Sequence, residues 1–579
     1  MSQTGTGDRG EAGGAPVRVA LLTEGGYPYA QGESVAWSDR LLRGLAGHDF
    51  HVCALSRSRR QVLGPRRPQP PNVRRVRTAP LWGPPPAGRV GRRLARRFAE
   101  CFTELTAALC PGYQPLGEDR DGPQADRFAN GLYGLAESAA RHGGLSTWLY
   151  SEQAVRILQA ACRSPGAPRA VHAAQVADLL AVAERLERAL RPLSLAWYGR
   201  DGLAGVDLCH AVGGGPAALP GLLARRFFGT PLLITEYRVR LREHYLSLAP
   251  SAAGAPVRAL LAAFQVRLAR EAYARAALIT PGDGLARRWQ ERCGADPARL
   301  RTVYPGADAR PFPAPAPGPA GPALVWAGRP GPEARLTGLL HAFRAVREAE
   351  PCARLWIVGA PARGRADESY LAHCRDLAAR LFPGSPGGPA RGAGVGPVVF
   401  TEVGSAAVPT PAEAWAAGAV AVLAGAAEGF PVPLIEAMVA GRAVVAAEAG
   451  AVPEALGDTG VLVPPEDPAA LAAACLALLR DPARRAALGA AARARALDLF
   501  TVERSIAAFD AIYRELAPAA SGPPDPGTPL PHPPISAARA PGPEAAGAGS
   551  RAGLRSVGLP GGSRAGGGVA ASLAWGEGT

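Results

Sequence analysis

The chain has 579 residues, 47% of them hydrophobic, which is enough for two or three domains with full cores. The formal charge is +15, yet all 64 basic residues are arginine, which excludes P-loop, Schiff-base and kinase-type lysine chemistry. Nine cysteines without a CxxC pair argue against a disulfide framework or zinc site and for a reducing, cytoplasmic compartment.

In chain order, residues 1–15 are polar and Gly-rich, with no apolar signal core, and are expected to be flexible. Residues 17–23 read as a buried strand, 24–32 as a Gly-rich loop, 34–45 as a helix and 51–55 as a second strand. From about 91 to 198 the apolar spacing turns helical, over 92–109, 127–142, 151–161 and 176–190, which predicts a helical insertion. Strands at 206–212, 231–235, 277–280 and 300–303 then alternate with helices at 217–227, 256–275 and 284–293. A Pro-rich hinge over 311–322 follows. Strands at 323–328, 354–358, 398–401, 420–423 and 443–446 begin a second alternating unit, which ends in helices at 471–479, 482–497 and 502–516. From about 517 the chain is Pro, Gly, Ala and Ser with little apolar content, and disorder is expected. No run reaches the ~18 apolar residues of a membrane span.

This alternation predicts α/β architecture: a doubly wound, Rossmann-like domain over 16–310 with the insertion at about 91–198, and another over 323–500. A C-terminal helix over 501–516 and a disordered tail over 517–579 complete the expected organisation. Two such domains place the ligand cleft between the C-terminal edges of their sheets.

Residues 428–441 carry the strongest chemical signal. Glu428 and Glu436 lie eight positions apart around the start of a helix, with Pro433 suited to its first turn and Gly441 to its end. The spacing predicts Glu436 in the first turn, beside free amides that can hold an anion. A phosphate there, with a carboxylate on each side to grip hydroxyls, meets the needs of a nucleotide sugar. Gly25, Gly26 and Gly32 follow the first strand and read either as phosphate-loop or as plain turn glycines. His210, at the expected cleft end of a strand, reads equally as a substrate contact or a satisfied core histidine. The arginines of 89–97 read as a solvated helix face, with membrane-surface binding as the lesser alternative. Basic runs interleaved with aromatics are absent, so no nucleic-acid partner is expected.

The ordered set Gly328-Arg329, the strand end at 355–359, Phe400-Thr-Glu, Glu428-x7-Glu436, Gly450-x-Val-Pro-Glu454 and 460–464 resembles retaining glycosyltransferases of family 4, which have the GT-B fold. The first half, through 22–32 and 235–243, is similar to the PelF-type branch, which carries a helical N-terminal region. The resemblance spans roughly residues 16 to 516. It implies retaining transfer of a hexose from a nucleotide diphosphate sugar, expected to be UDP-linked, to a glycan or other hydroxyl acceptor. Exopolysaccharide synthesis is the expected setting, with peripheral membrane or polysaccharide-synthase association. By the same resemblance Glu436 binds the ribose, and Glu428 faces the transferred sugar beside the amides of Gly429 and Phe430. Arg329 holds the diphosphate and stabilises the charge it develops on leaving, and Gly32 lets the first-domain backbone approach the phosphates. Acceptor contacts fall to the first domain, where His210 and Tyr237 are candidates. No metal or other cofactor is implied.

The chain also departs from that pattern. The family lysine about five residues after the arginine is Ala334 here, with Arg335 next to it as a substitute phosphate contact. The family histidine after Thr-Glu is Tyr237, and the following glycine is Arg238. These departures motivate a rival reading: a catalytically impaired GT-B scaffold that binds a nucleotide or partner protein in a polysaccharide-synthesis assembly.

Overall fold

The computed structural model describes residues 15–25, 27–29, 32–63, 68–83, 92–110, 122–246, 254–312, 319, 321–360, 364–383, 396–425 and 429–517. Most of the expected Pro-rich hinge, the expected tail beyond 517, Gly26 and Glu428 lie outside these residues.

Two six-stranded parallel sheets organise the chain. The first contains β1 (Arg18–Glu24), β2 (Asp49–Ser56), β3 (Val73–Pro80), β4 (Leu208–Val212), β5 (Leu232–Thr235) and β6 (Leu278–Thr280), ordered β3-β2-β1-β4-β5-β6. The second contains β7 (Ala323–Gly328), β8 (Arg354–Gly359), β9 (Val398–Glu402), β10 (Val420–Leu423), β11 (Ala443–Ala447) and β12 (Val461–Val463), ordered β12-β11-β10-β7-β8-β9. The winding is the same in both: the first strand of each sheet pairs with the second and the fourth. Each sheet therefore has a topological switch point, β1/β4 and β7/β10, the place where open α/β sheets bind ligands.

Strands covered on both faces must be apolar on both faces, which is why β1, β5, β10 and β11 read as continuous apolar runs. In β1 the alternation sends Ala20 and Leu22 to one core and Val19 and Leu21 to another. The insertion helices, from Arg92–Ala107 to Val176–Leu190, cover the first of these faces. Helices Arg92–Ala107 and Pro123–His142 cross closely there, and a Cβ on Gly131 would sit 2.6 Å from the backbone nitrogen of Leu105. Edge strands escape the apolar pattern. β3 carries Arg74, Arg75 and Arg77, and the Arg77 guanidinium donates to the carbonyls of Ala196 and Asp201. The expected strand at 300–303 is only a single bridge between Ile279 and Leu300.

The chain passes between the two sheets twice, and the passages are stitched together. Ala307 donates to the Phe500 carbonyl at 2.8 Å, and Val502 donates back to the Ala307 carbonyl at 3.1 Å. Gly306 has φ 78°, and a Cβ there would lie 2.8 Å from the Thr501 carbonyl oxygen, so a larger residue is doubly disfavoured. The final helix, Val502–Leu516, returns to the first sheet and buries Phe509, Ile512 and Tyr513 against β1, β2 and the helix Glu33–Gly44. The His48–Asp510 hydrogen bond at 2.8 Å and the Arg301–Glu515 ion pair at 2.7 Å flank that contact. No described helix is long and apolar enough to cross a membrane.

Candidate functional site

The segments that follow β7 and β10 carry most of the expected site residues. β7 ends at Gly328, where φ is 156° and a Cβ would come within 3.8 Å of Pro433 on the helix Val432–Val439. β10 ends at Leu423, and a Cβ on Gly425 would collide with the Glu333 carbonyl oxygen at 2.3 Å. The loop after β7 is thus close to the end of β10 at Glu333 and Gly425, and the end of β7 approaches the helix N-terminus at Pro433. Arg329 directly follows Gly328, and Gly429 and Phe430 directly precede the helix that carries Glu436.

Within this frame the side chains differ from expectation in three ways. Glu436 is half-buried and sits in the second turn, because the helix starts at Val432 behind Pro431 and has no acid in its first turn. The expected favourable placement beside the free first-turn amides therefore does not hold. Glu436 does share a face with Pro433, three residues earlier, which packs towards the end of β7. Arg329 is about one-third exposed and pairs with Glu333, four residues on, at 2.9 Å. Arg335 turns elsewhere: its guanidinium meets Glu466, beyond β12, at 2.7 Å.

The Gly429 backbone, with φ 125°, faces the first domain, since a Cβ there would lie 3.7 Å from Cγ of Arg238. Phe430 packs its ring against Tyr304 and Phe500, each 5.7 Å away between centroids, at the passage between the sheets. Beside it Glu454 ties the domains together. It accepts from the Gly284 amide at 2.6 Å and from the Tyr304 hydroxyl at 2.9 Å. Burial, reinforced by Glu454, pushes the Tyr304 hydroxyl up to about 12.

The first-domain candidates fall differently. Gly32 caps the helix Glu33–Gly44 with φ 142°, a conformation that suits glycine. His210 is fully buried in the middle of β4 and does not reach the cleft. Alternation points it at the final helix, where Nδ1 meets the Tyr513 hydroxyl at 2.7 Å and Nε2 the Thr235 hydroxyl at 2.6 Å. Burial pulls its pKa down to about 3, so it stays neutral. It is a satisfied core histidine. Tyr237 packs on Trp37, 5.5 Å between centroids, and against Gly282, with its hydroxyl buried. Arg238, not Tyr237, is the exposed residue of that loop.

At the β1/β4 switch point Arg240 donates to Glu24 at 2.6 Å. Its backbone nitrogen donates to Glu236 at 3.3 Å, and burial raises the Glu236 carboxyl. Sequence reasoning missed Glu333, Glu466 and Arg238 as neighbours of the site, and the bridging role of Glu454. Glu333 had a usable signal, an acid four residues after Arg329 ahead of a helix. Glu466 had none.

With this geometry in hand, comparison with known proteins separates the two halves. Residues 321–481 match the family described as glycosyl transferases group 1, and residues 17–298 match a domain of unknown function, DUF3492. A sucrose-phosphate synthase from Thermosynechococcus elongatus is 17% identical and superimposes with a TM-score of 0.50, over 86% of this chain and 99% of that one. The architecture is GT-B. An MMP alpha-(1->4)-mannosyltransferase from Mycolicibacterium hassiacum is 38% identical over 91 residues, which is 15% of this chain. The chain matches 22% of the length of that curated relative. Anabaena HepE, solved with UDP and glucose, is 19% identical over 54% of this chain and 78% of its own, with a TM-score of 0.41. The β7/β10 switch point lies in the region that matches group 1 glycosyl transferases.

Proposed function

We propose that this chain is a glycosyltransferase that moves a hexose from a nucleotide diphosphate sugar, with UDP as the nucleotide, to a hydroxyl acceptor with retention at the anomeric carbon. One observation carries the reading. Gly328, the residue before Arg329, approaches Pro433 on the helix that also carries Glu436, inside the region that matches group 1 glycosyl transferases. In this reading the second domain binds the donor and the first the acceptor. Glu436 accepts from the ribose hydroxyls. Arg329 takes up charge on the diphosphate as its bond to the anomeric carbon breaks, which is electrostatic stabilisation by a pre-placed donor. Glu428, outside the described residues, faces the transferred sugar by resemblance alone.

Calorimetry with UDP-glucose, followed by a product assay, tests the reading. Binding with transfer or donor hydrolysis is expected, and no binding of any nucleotide sugar contradicts it. A mannose donor belongs in the screen because the M. hassiacum relative is named a mannosyltransferase. A second reading, a GT-B scaffold in a polysaccharide-synthesis assembly, draws on the engagement of Arg329 and Arg335 with Glu333 and Glu466. Nucleotide binding without turnover favours it.

A further inference from the structure

Among the described residues, the non-glycine positions with positive φ are Arg335, at 48°, and Glu466, at 63°. They are each other's ion-pair partner. One lies between β7 and the helix Leu336–Ala349, the other between β12 and the helix Pro468–Arg480. Neither site has a glycine to make the left-handed conformation easy, so each backbone is held against its preference. The pair is about half exposed, with side-chain accessibilities of 46% and 65%, so solvent screens the attraction between the partners. A left-handed backbone at both ends of a screened ion pair is a contact that a stronger competitor can displace.

The competitor's position follows from the neighbouring backbone. Ala334, just before Arg335, abuts Gly425, where the loop after β7 meets the loop after β10. Arg335 and Glu466 both line a cavity of about 170 Å³, with Ala424, Ala447, Val463 and Leu471 among its other walls. Arg335 thus lines that cavity, while the residue before it, Ala334, abuts the loop after β10. A guanidinium there has two destinations, a single carboxylate on one side or an anion in the crevice on the other.

We propose that Glu466 is a latch that holds Arg335 away from the donor crevice until a nucleoside diphosphate draws it off. This rests on the reading of that crevice as a donor site. A diphosphate carries more charge than one carboxylate and accepts two parallel hydrogen bonds from a guanidinium. Arg335 then joins Arg329 on the diphosphate, and donor binding and loop rearrangement become one event.

Calorimetry with UDP on the full chain tests the latch through a double-mutant cycle. Glu466→Gln keeps the size of the side chain and removes the charge. It is expected to tighten UDP binding about two- to fivefold, the range of a screened ion pair. Arg335→Ala is expected to weaken binding, and the gain from Glu466→Gln is expected to vanish in that background. Unchanged UDP affinity in Glu466→Gln overturns the latch while leaving the donor site standing. So does a gain that persists without Arg335. Failure of the wild-type chain to bind UDP overturns the donor reading and the latch together.

Discussion

The two sheets share one winding but differ in what occupies their polar positions. In the first, a run of buried polar side chains is mutually bonded: His210 to Tyr513 and Thr235, Thr235 to Thr280, Glu236 to Tyr273 and Arg240. The final helix closes over this network, and Phe509 and Tyr513 seal it with aromatic contacts to His210. In the second, the switch point is edged by glycine loops, and its arginines hold partly exposed carboxylates at 2.9 and 2.7 Å. Topology alone therefore does not tell which switch point is available to a ligand. Buried, mutually bonded polar groups mark a scaffold. Solvent-screened pairs on glycine loops mark a surface that exchanges partners.

The sharpest way to break this contrast is to remove the central cation of the second crevice. Arg329→Ala is expected to lower kcat/KM by about 10²- to 10³-fold, the usual cost of losing one pre-placed charge-stabilising donor. An unchanged far-ultraviolet spectrum would show that the fold is retained. Normal turnover in this variant would remove Arg329 from the mechanism. Glu436→Ala is expected to weaken nucleotide binding about 10- to 100-fold, as for a lost hydrogen bond to a charged group. Calorimetry reads this directly, and unaltered affinity would place the ribose elsewhere.

The first domain should answer in stability. Gly131→Ala pushes a methyl group into the Leu105 backbone and is expected to cost about 1–3 kcal/mol in urea unfolding, with nucleotide binding unchanged. A variant as stable as wild type would mean that the two insertion helices are free to separate.

The smallest effect is a pH dependence. His210 is held near 3 in the folded chain against 6.5 when unfolded, so the unfolded state binds more protons between those values. Its contribution to stability is present above pH 6.5 and is lost as pH falls towards 3. Glu236 and Asp283, both raised by burial, act in the opposite sense and lose stability as pH rises through their raised values. Comparing wild type with His210→Gln isolates the histidine: the variant is expected to show a shallower loss below pH 6.5. Equal slopes would contradict the buried neutral assignment.

Much of the fold was legible because strands buried on both faces are continuous apolar runs, as in β1, β7 and β11. The helix Val176–Leu190 was legible from its apolar spacing. β3 was not, because an edge strand carries arginines that bond to carbonyls more than 100 residues away. At the site, the glycines and Arg329 were visible as motifs. The fates of His210 and Tyr237 were not, since both depend on the final helix or on Trp37 packing over them from distant sequence. Nor does any local pattern reveal that Arg335 adopts a left-handed backbone and reaches beyond β12.

The contrast between the sheets is tested most directly by amide hydrogen exchange with and without UDP. Protection is expected in 329–335 and 429–439, with little change in Leu208–Val212 and Val502–Leu516. Protection confined to the first sheet and its final helix, or none anywhere, would contradict the account.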